Sequence, residues 1–248
     1  MKHQFKILLA IIVAALMIAL LPSANARQSA PTAQQIMEKT MAAYADCKSY
    51  SDSGRVETLF IMKHGKRTTV KPFSTAFVRP DAFRFEYQER DGEKDWRRYI
   101  VWQKASDIKS WWTLKPEVKE LESLSMALAG PTGVSGGSAI RVPSLLLPSS
   151  MANGLKFLTE LKLLSEEPIG VHSAYKIEAK DSSGRIQTLW IDTQRFLILK
   201  VFQKIKFEAN SSVNPRSDGF EMETTTFYDP QINEPVPAAK LEPGIPTQ

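Results

Sequence analysis

A short glycine-rich stretch contains a nucleophile pattern. Residues 133–137 read Gly-Val-Ser-Gly-Gly, which matches the G-x-S-x-G pattern of serine hydrolases around Ser135. His172 is a candidate base downstream, and three carboxylates could orient it: Glu160, Glu166 and Glu167. A nucleophile elbow needs a strand before the serine and a helix after it. Here Gly130-Pro131 precedes the serine and Pro143 follows it, so the pattern is more typical of a flexible loop, and a hydrolase is kept as an alternative.

Metal and phosphate chemistry have little support in the sequence. Beyond residue 26, the histidines and cysteine are His64, His172 and Cys47, which are scattered without ligand spacing. Cys47 lies on the apolar side of a predicted helix, where a small buried side chain is expected. The glycine-rich stretch lacks the G-K-[ST] ending of a phosphate loop. We therefore expect no metal, no cofactor and no catalytic residues.

The first 26 residues have the parts of a secretory signal peptide. Lys2 and Lys6 precede an apolar run over residues 7–21, and Ala24-Asn25-Ala26 resembles a cleavage site. The run is shorter than the roughly 20 residues that span a bilayer. No cysteine follows the small residues, so a lipidated terminus is not suggested. We predict a cleaved signal peptide over residues 1–26 and a periplasmic or secreted monomer.

Charge gives no sign of a nucleic-acid partner. The chain carries 32 Lys and Arg against 27 Asp and Glu, and loss of the two signal-peptide lysines leaves a net charge of +3. Residues 96–112 interleave cations with aromatic rings, as single-stranded nucleic-acid binders do. Strand alternation would place those cations and rings on opposite faces. Export also makes nucleic acid an improbable partner, and we expect none.

Alternating apolar positions predict a sheet of about ten strands. A capping box at Thr32 and Gln35 predicts a helix up to residue 48. Period-two alternation, clearest at residues 83–87, then continues through short turns to residue 114 and resumes at residue 175. Such short links favour an antiparallel meander. Strands of this number curl, and helices must cover an apolar concave side.

An apolar helical insertion interrupts the strands at about residues 116–160. Val118, Leu121, Leu124 and Leu128 have helical spacing, and further leucines indicate one more short helix: Leu155, Leu158 and Leu161. A proline-rich tail over about residues 230–248 is expected to be extended. The predicted fold class is α+β, with one domain over residues 27–248.

Three sequence stretches then resemble a known family. Residues 48–50 lead into a Gly-Arg-Val strand start at 54–56, and residues 77–87 read Phe-Val-Arg-Pro-Asp-Ala-Phe-Arg-Phe-Glu-Tyr. Leu-Trp-Ile-Asp at 189–192 is followed by Leu-Ile-Leu-Lys at 197–200. Together they resemble the LolA/LolB-type lipoprotein-carrier superfamily, the outer-membrane lipoprotein-sorting proteins of bacteria.

This resemblance implies an unclosed half-barrel whose apolar cavity is covered by a helical lid. It also implies binding of lipid or lipoprotein acyl chains without chemistry, and membrane-associated donor and acceptor proteins. Arg79 matches the family arginine that holds the lid by hydrogen bonds. Residues 130–147, glycine-rich and then leucine-rich, depart from the proteobacterial carrier and leave the cargo open. The alternative on this scaffold is a sensor domain that binds a partner protein.

Aromatic and leucine side chains are the candidate ligand-binding residues. Aromatic residues dominate protein cores generally, so ordinary core is the competing interpretation for each of them. The leucines stand together between two prolines, downstream of the glycine-rich loop, and are a candidate movable plug of the cavity mouth. The predicted set is Phe83, Phe85, Trp102, Trp111, Trp112, Leu145, Leu146, Leu147 and Trp190.

Overall fold

Helix α1 (Ala33–Asp46) begins at the predicted capping box in the computed structural model, which describes residues 30–90, 95–149, 151, 154–209 and 218–245. The Thr32 hydroxyl accepts a hydrogen bond from the Gln35 N–H at 3.2 Å, and Gln35 Oε1 accepts one from the Thr32 N–H at 2.9 Å. The two bonds satisfy donors that a helix start leaves free. The predicted signal peptide, residues 1–26, lies outside the described residues.

Twelve strands form one antiparallel sheet. The first run comprises β1 (Ser49–Met62), β2 (Gly65–Val78), β3 (Ala82–Glu89), β4 (Arg97–Lys104), β5 (Asp107–Trp112) and β6 (Lys115–Glu120). The second comprises β7 (Thr159–Ile169), β8 (His172–Lys180), β9 (Ile186–Asp192), β10 (Ile198–Phe207), β11 (Phe220–Phe227) and the short β12 (Gln231–Ile232).

The strand order shows that the sheet does not close. It runs β6-β5-β4-β3-β2-β1-β11-β10-β9-β8-β7, with β12 pairing only with β1. The two runs therefore meet at the central β1–β11 pair, where Val56 lies opposite Thr226. Edges remain at β6 and β7. This confirms the predicted fold class, an α+β unclosed half-barrel.

The lid segment, residues 121–158, connects the two runs. It contains α2 (Leu124–Thr132), a series of turns, the single-turn α3 (Pro143–Leu146) and a 3₁₀ turn (Leu155–Phe157). Ser123 caps α2 by accepting a hydrogen bond from the Met126 N–H. Among the described residues, no helix combines the length and the apolar character needed to cross a bilayer.

The predicted boundaries of the insertion were wrong at both ends. Val118 lies in edge strand β6 and Leu161 in edge strand β7, not in helices. Every residue of β6 is exposed, so this strand has no apolar face to signal its period. These two edges and the short β12 are strands that the sequence did not predict, and the sheet has twelve strands where about ten were expected.

The two faces of the sheet have different coverings. The inner face contacts α1 and the lid segment and contributes to one large apolar core, which includes Phe83, Phe85 and Tyr87 of β3. The outer face, with Arg84 and Glu86 of the same strand, is crossed by the C-terminal tail. Arg98 Nη1 donates to the Gly244 carbonyl at 3.1 Å.

The start of the tail is fixed to the start of β1. The Lys48 N–H donates to Asn233 Oδ1 at 2.7 Å, and the Ser49 hydroxyl donates to the Glu234 carbonyl at 2.7 Å. The proline-rich tail is only partly extended, since up to the last described residue, 245, it contains β12, a bend at Asn233 (φ +59°), and a 3₁₀ turn (Ala238–Lys240) followed by a further turn.

Candidate functional site

The inner face of β3 to β5 forms an aromatic wall. Phe83 and Phe85 on β3 are buried in the core. Trp112 on β5 is half-buried and lies opposite Tyr99 of β4, with ring centroids 6.2 Å apart in an edge arrangement. Tyr99 also stacks on Tyr87 at 5.9 Å. Three of the predicted aromatic residues therefore share the side of the sheet that the lid covers.

The lid leucines close this interior from above. Leu145 and Leu146 belong to α3 and are buried in the same core as the aromatic wall. Leu147, the residue after the helix, is half-buried and packs against that core. All three predicted leucines are thus part of the interior, and whether they move remains a prediction.

Arg79 connects the lid to helix α1. Its Nε donates to the Cys47 carbonyl at 2.7 Å, and its Nη2 donates to the carbonyls of Tyr44 at 3.2 Å and of Leu146 at 3.1 Å. The first two carbonyls lie at the carboxyl end of α1, where helix carbonyls lack partners within the helix. One guanidinium therefore holds the helix end and the lid leucines together. Its role as a latch stays a prediction.

The other three tryptophans of the predicted set lie on the outer face. Trp102 pairs with Arg84 and Lys109, and Trp111 pairs with Ile100, all at outer-face positions. Trp102 lines a groove of about 360 Å³ together with Ala238 and Leu241 of the tail and residues of β4 and β5. These two tryptophans do not line the interior.

Trp190 belongs to a separate small cluster on the outer face. It packs with Ala174 and Leu199, its indole N–H donates to Glu167 at 2.8 Å, and the Lys200 ammonium lies 4.0 Å from its ring centroid. Period-two alternation identifies faces but does not tell which face is covered by helices. For this reason the sequence grouped aromatic residues that the structure separates.

A buried polar group interrupts the apolar interior at β1 and β2. Asp52 Oδ2 accepts a hydrogen bond from the Tyr50 hydroxyl, and Oδ1 accepts one from the Thr75 N–H, both at 2.7 Å. Burial raises the pKa of Asp52 to about 6, although these two hydrogen bonds act in the opposite direction. Asp52 therefore keeps its proton to a higher pH than a solvated aspartate does.

The geometry around Ser135 does not resemble a nucleophile elbow. Ser135 is fully buried, its hydroxyl donates to the Thr132 carbonyl at 3.3 Å, and its oxygen accepts the Ala139 N–H at 3.2 Å. Helix α2 precedes the serine and turns follow it, so the strand–turn–helix context is not present. The Ser135 hydroxyl therefore makes hydrogen bonds within its own loop.

The candidate base His172 has a different set of partners. Its Nδ1 lies 3.1 Å from Asp192 Oδ2, and that carboxylate also pairs with Arg195 at 2.9 Å. The backbone N–H groups of Gln194 and Arg195 donate to the other carboxylate oxygen, which makes this a turn stabilised by an aspartate. Within the described ranges, no group of three or more His, Cys, Asp or Glu residues could hold a metal ion.

Sequence reasoning missed the polar residues of the interior. Asp52 alternates with Tyr50 on β1, and Arg141 stands among apolar residues of the lid segment, between Ile140 and Val142. A charge inside an apolar stretch was the available signal. From the sequence, such a buried charge looks the same as a charge exposed to solvent, because only the packing of the lid on the sheet buries it.

Comparison with known proteins finds similar solved structures, whereas no model of a known protein family and no curated protein matches the chain. A LolA superfamily protein from Nitrosomonas europaea is 17% identical over 86% of this chain and 98% of that chain, with a TM-score of 0.34. The lipoprotein LppX of Mycobacterium tuberculosis is 14% identical over 83% of this chain and 97% of that chain, with a TM-score of 0.42.

A structure of the MucA/MucB complex from Pseudomonas aeruginosa is also similar. It is 12% identical over 86% of this chain and 61% of that chain, with a TM-score of 0.41. Structures similar to this chain thus include a LolA superfamily protein, the superfamily that the sequence resembles. All three TM-scores lie below 0.5, and the fold of this chain is defined by its strand order and register.

Proposed function

We propose that this protein carries a lipid, or the acyl chains of a lipoprotein, in the interior between the inner face of the sheet and the lid segment. The observation that carries the proposal is the continuity of one apolar core across α1, the aromatic wall and the lid leucines. An apolar interior beneath a separate covering segment suits an acyl chain, since each buried methylene contributes about 0.8 kcal/mol.

The attachment of the lid also supports this proposal. Leu121 donates a backbone hydrogen bond to Ile108 of β5. The other described residues of the lid segment are joined to the sheet by side-chain packing and by single polar contacts such as Arg79 to Leu146, not by strand pairing. A covering of this kind can separate from the sheet without breaking the sheet. The ligand-binding set is then Phe83, Phe85, Trp112, Leu145, Leu146 and Leu147, with Arg79 as the lid latch.

Localisation and partners follow from the same proposal. A protein exported by a signal peptide over residues 1–26 would work in the periplasm or outside the cell. It would receive its cargo from one membrane-associated protein and deliver it to another, and it would do so as a monomer without nucleic acid, metal or cofactor.

A partner-binding sensor is the competing function, and the edges of the sheet argue against one form of it. Edge strand β7 contains Pro168 and has two interruptions in its register with β8. The other edge, β6, is short and carries four charged residues among six. Both features discourage the addition of a strand from another chain. A partner would therefore have to bind elsewhere.

Lipid released from the purified protein tests the proposal. We expect denaturation in organic solvent to release an acyl-containing lipid in near-stoichiometric amount, detected by mass spectrometry. The delipidated protein should also take up a fluorescent fatty acid. Phe85→Asp, which places a charge in the aromatic wall, should abolish uptake, whereas Ile186→Asp at an exposed position should not. A protein that neither releases nor takes up lipid would refute the carrier.

A further inference from the structure

Arg141 is a buried cation in the interior. It lies at the end of the glycine-rich turns of the lid segment and is only 6% exposed. Its Nη1 donates to the Gly136 carbonyl and to the Thr226 hydroxyl, each at 2.7 Å. Both acceptors are neutral, so these bonds orient the guanidinium without balancing its charge.

The residues described by the structure supply no carboxylate to Arg141. Neither an ion pair nor a further hydrogen bond of normal geometry from its Nε or Nη2 is found within them. The buried acid of the interior, Asp52, accepts its hydrogen bonds from Tyr50 and Thr75 instead. Burial of an unpaired charge is costly, and native proteins pair such charges or place them where a ligand does so.

A second unpaired polar group lies next to the guanidinium. The Tyr228 hydroxyl is buried and has no hydrogen-bond partner of normal geometry among the described residues. Tyr228 follows Thr226, the acceptor of the Arg141 Nη1 bond, by two positions and belongs to the apolar core. Burial raises the pKa of Tyr228, and the charge of Arg141 and a side-chain contact from it act against that rise. A buried hydroxyl and a guanidinium this close together can both donate hydrogen bonds to one oxyanion.

The glycines of the lid segment hold this arrangement against the sheet. Gly136 has a φ of +62°, and a Cβ there would lie 2.6 Å from Val56 Cγ1 on β1. Gly137 has a φ of +86°, and a Cβ there would lie 3.0 Å from Arg141 Cζ. Only glycine allows the turns to lie this close to the central strands, and the close approach brings Arg141 to Thr226 of β11.

We propose that Arg141 and the Tyr228 hydroxyl bind the anionic head group, a carboxylate or a phosphate monoester, of the lipid whose chain occupies the interior. The inference rests on the proposed carrier function and specifies its substrate class. The guanidinium donates through Nε and Nη2, and the tyrosine hydroxyl donates a third hydrogen bond. The acyl chain then extends along the aromatic wall beneath the lid leucines.

Calorimetric titration of the delipidated full-length protein tests the head group separately from the chain. The probes are hexadecanoate, hexadecyl phosphate, hexadecanol and, without a chain, inorganic phosphate. We expect the two anionic lipids to bind at least about tenfold more tightly than the alcohol, which corresponds to about 1.4 kcal/mol. Arg141→Gln should remove this preference and leave hexadecanol binding unchanged. Arg141→Lys should retain part of it, and Arg185→Gln at an exposed turn should retain all of it.

The outcomes separate the two proposals. If hexadecanol binds the wild-type protein as tightly as hexadecanoate does, or if Arg141→Gln keeps the preference, the head-group site is refuted and the carrier stands. If inorganic phosphate binds as tightly as hexadecyl phosphate, the occupant is a free anion and the lipid assignment is refuted. If none of the chains binds, both proposals fail.

A measurement on the wild-type protein covers the case in which Arg141→Gln does not fold. The carboxyl carbon of ¹³C-labelled hexadecanoate, followed by NMR in the complex, reports the pKa of the bound head group. A neighbouring cation lowers a carboxyl pKa by about 1–3 units. We therefore expect a midpoint at least about one unit below that of an unpaired carboxyl group. An unchanged or raised midpoint would rule out the contact with Arg141.

Discussion

The buried carboxyl group of Asp52 predicts that stability depends on pH in an unusual direction. An aspartate in the unfolded chain has a pKa of about 3.9, whereas burial raises the pKa of Asp52 in the folded protein to about 6. Between these two values the folded state keeps the proton and the unfolded state has lost it. The contribution of Asp52 to the free energy of unfolding therefore falls as the pH rises through this window, and it stays low above it.

The size of this effect follows from the shift. A difference of about two pKa units corresponds to about 3 kcal/mol of destabilisation above pH 6. Asp52→Asn removes the charge and keeps an oxygen that can accept the Thr75 N–H. Asparagine does not titrate, so the hydrogen bonds that the variant keeps or loses change its stability by the same amount at every pH, and the pH dependence of the difference comes from Asp52 alone.

Urea unfolding of wild type and Asp52→Asn, followed by tryptophan fluorescence from about pH 4 to about pH 8, measures the difference. We expect the free energy of unfolding of the variant, relative to that of the wild type, to rise by roughly 1–3 kcal/mol from the lowest to the highest pH. For the control Asp107→Asn, at the exposed start of β5, we expect a free energy of unfolding that differs from that of the wild type by the same amount at every pH. A stability difference that does not change with pH, or one that falls as the pH rises, would refute the assignment of a raised pKa to Asp52.

Three further changes test the sheet and the lid. Gly54→Ala should destabilise the protein by about 1–3 kcal/mol, because the added Cβ meets the Phe73 ring and lies 2.5 Å from the Phe227 carbonyl; thermal unfolding measures this, and a variant as stable as the wild type would contradict it. Arg79→Leu should leave the fold intact but alter the rate of lipid release in a fluorescence transfer assay, and unchanged transfer would exclude a latch. Replacement of residues 145–147 by serine should give a folded protein with altered fatty-acid uptake if these leucines form a movable plug. If they are permanent core, the free energy of unfolding should fall by about 2–5 kcal/mol for each buried leucine.

The sequence predicted the elements whose side chains carry a period. Thr32 and Gln35 identified the start of α1, and the aromatic alternation of residues 83–87 identified β3. Edge strand β6 was missed because all its residues face solvent, and without a buried face no alternation remains to be read. The position of Arg79 came from resemblance to a family, not from a local pattern.

Tertiary structure decided which residues meet. The sequence alone predicted an antiparallel sheet and an apolar insertion, and it showed no spacing typical of metal ligands. These features depend on local periodicity and on residue type. It could not determine that Trp102 and Phe83, on neighbouring strands, face opposite sides. Nor could it bring Arg141 of the lid to Thr226 of β11, residues separated by 85 positions. Such contacts depend on how the two halves of the sheet join at β1 and β11 and on where the lid segment packs against them.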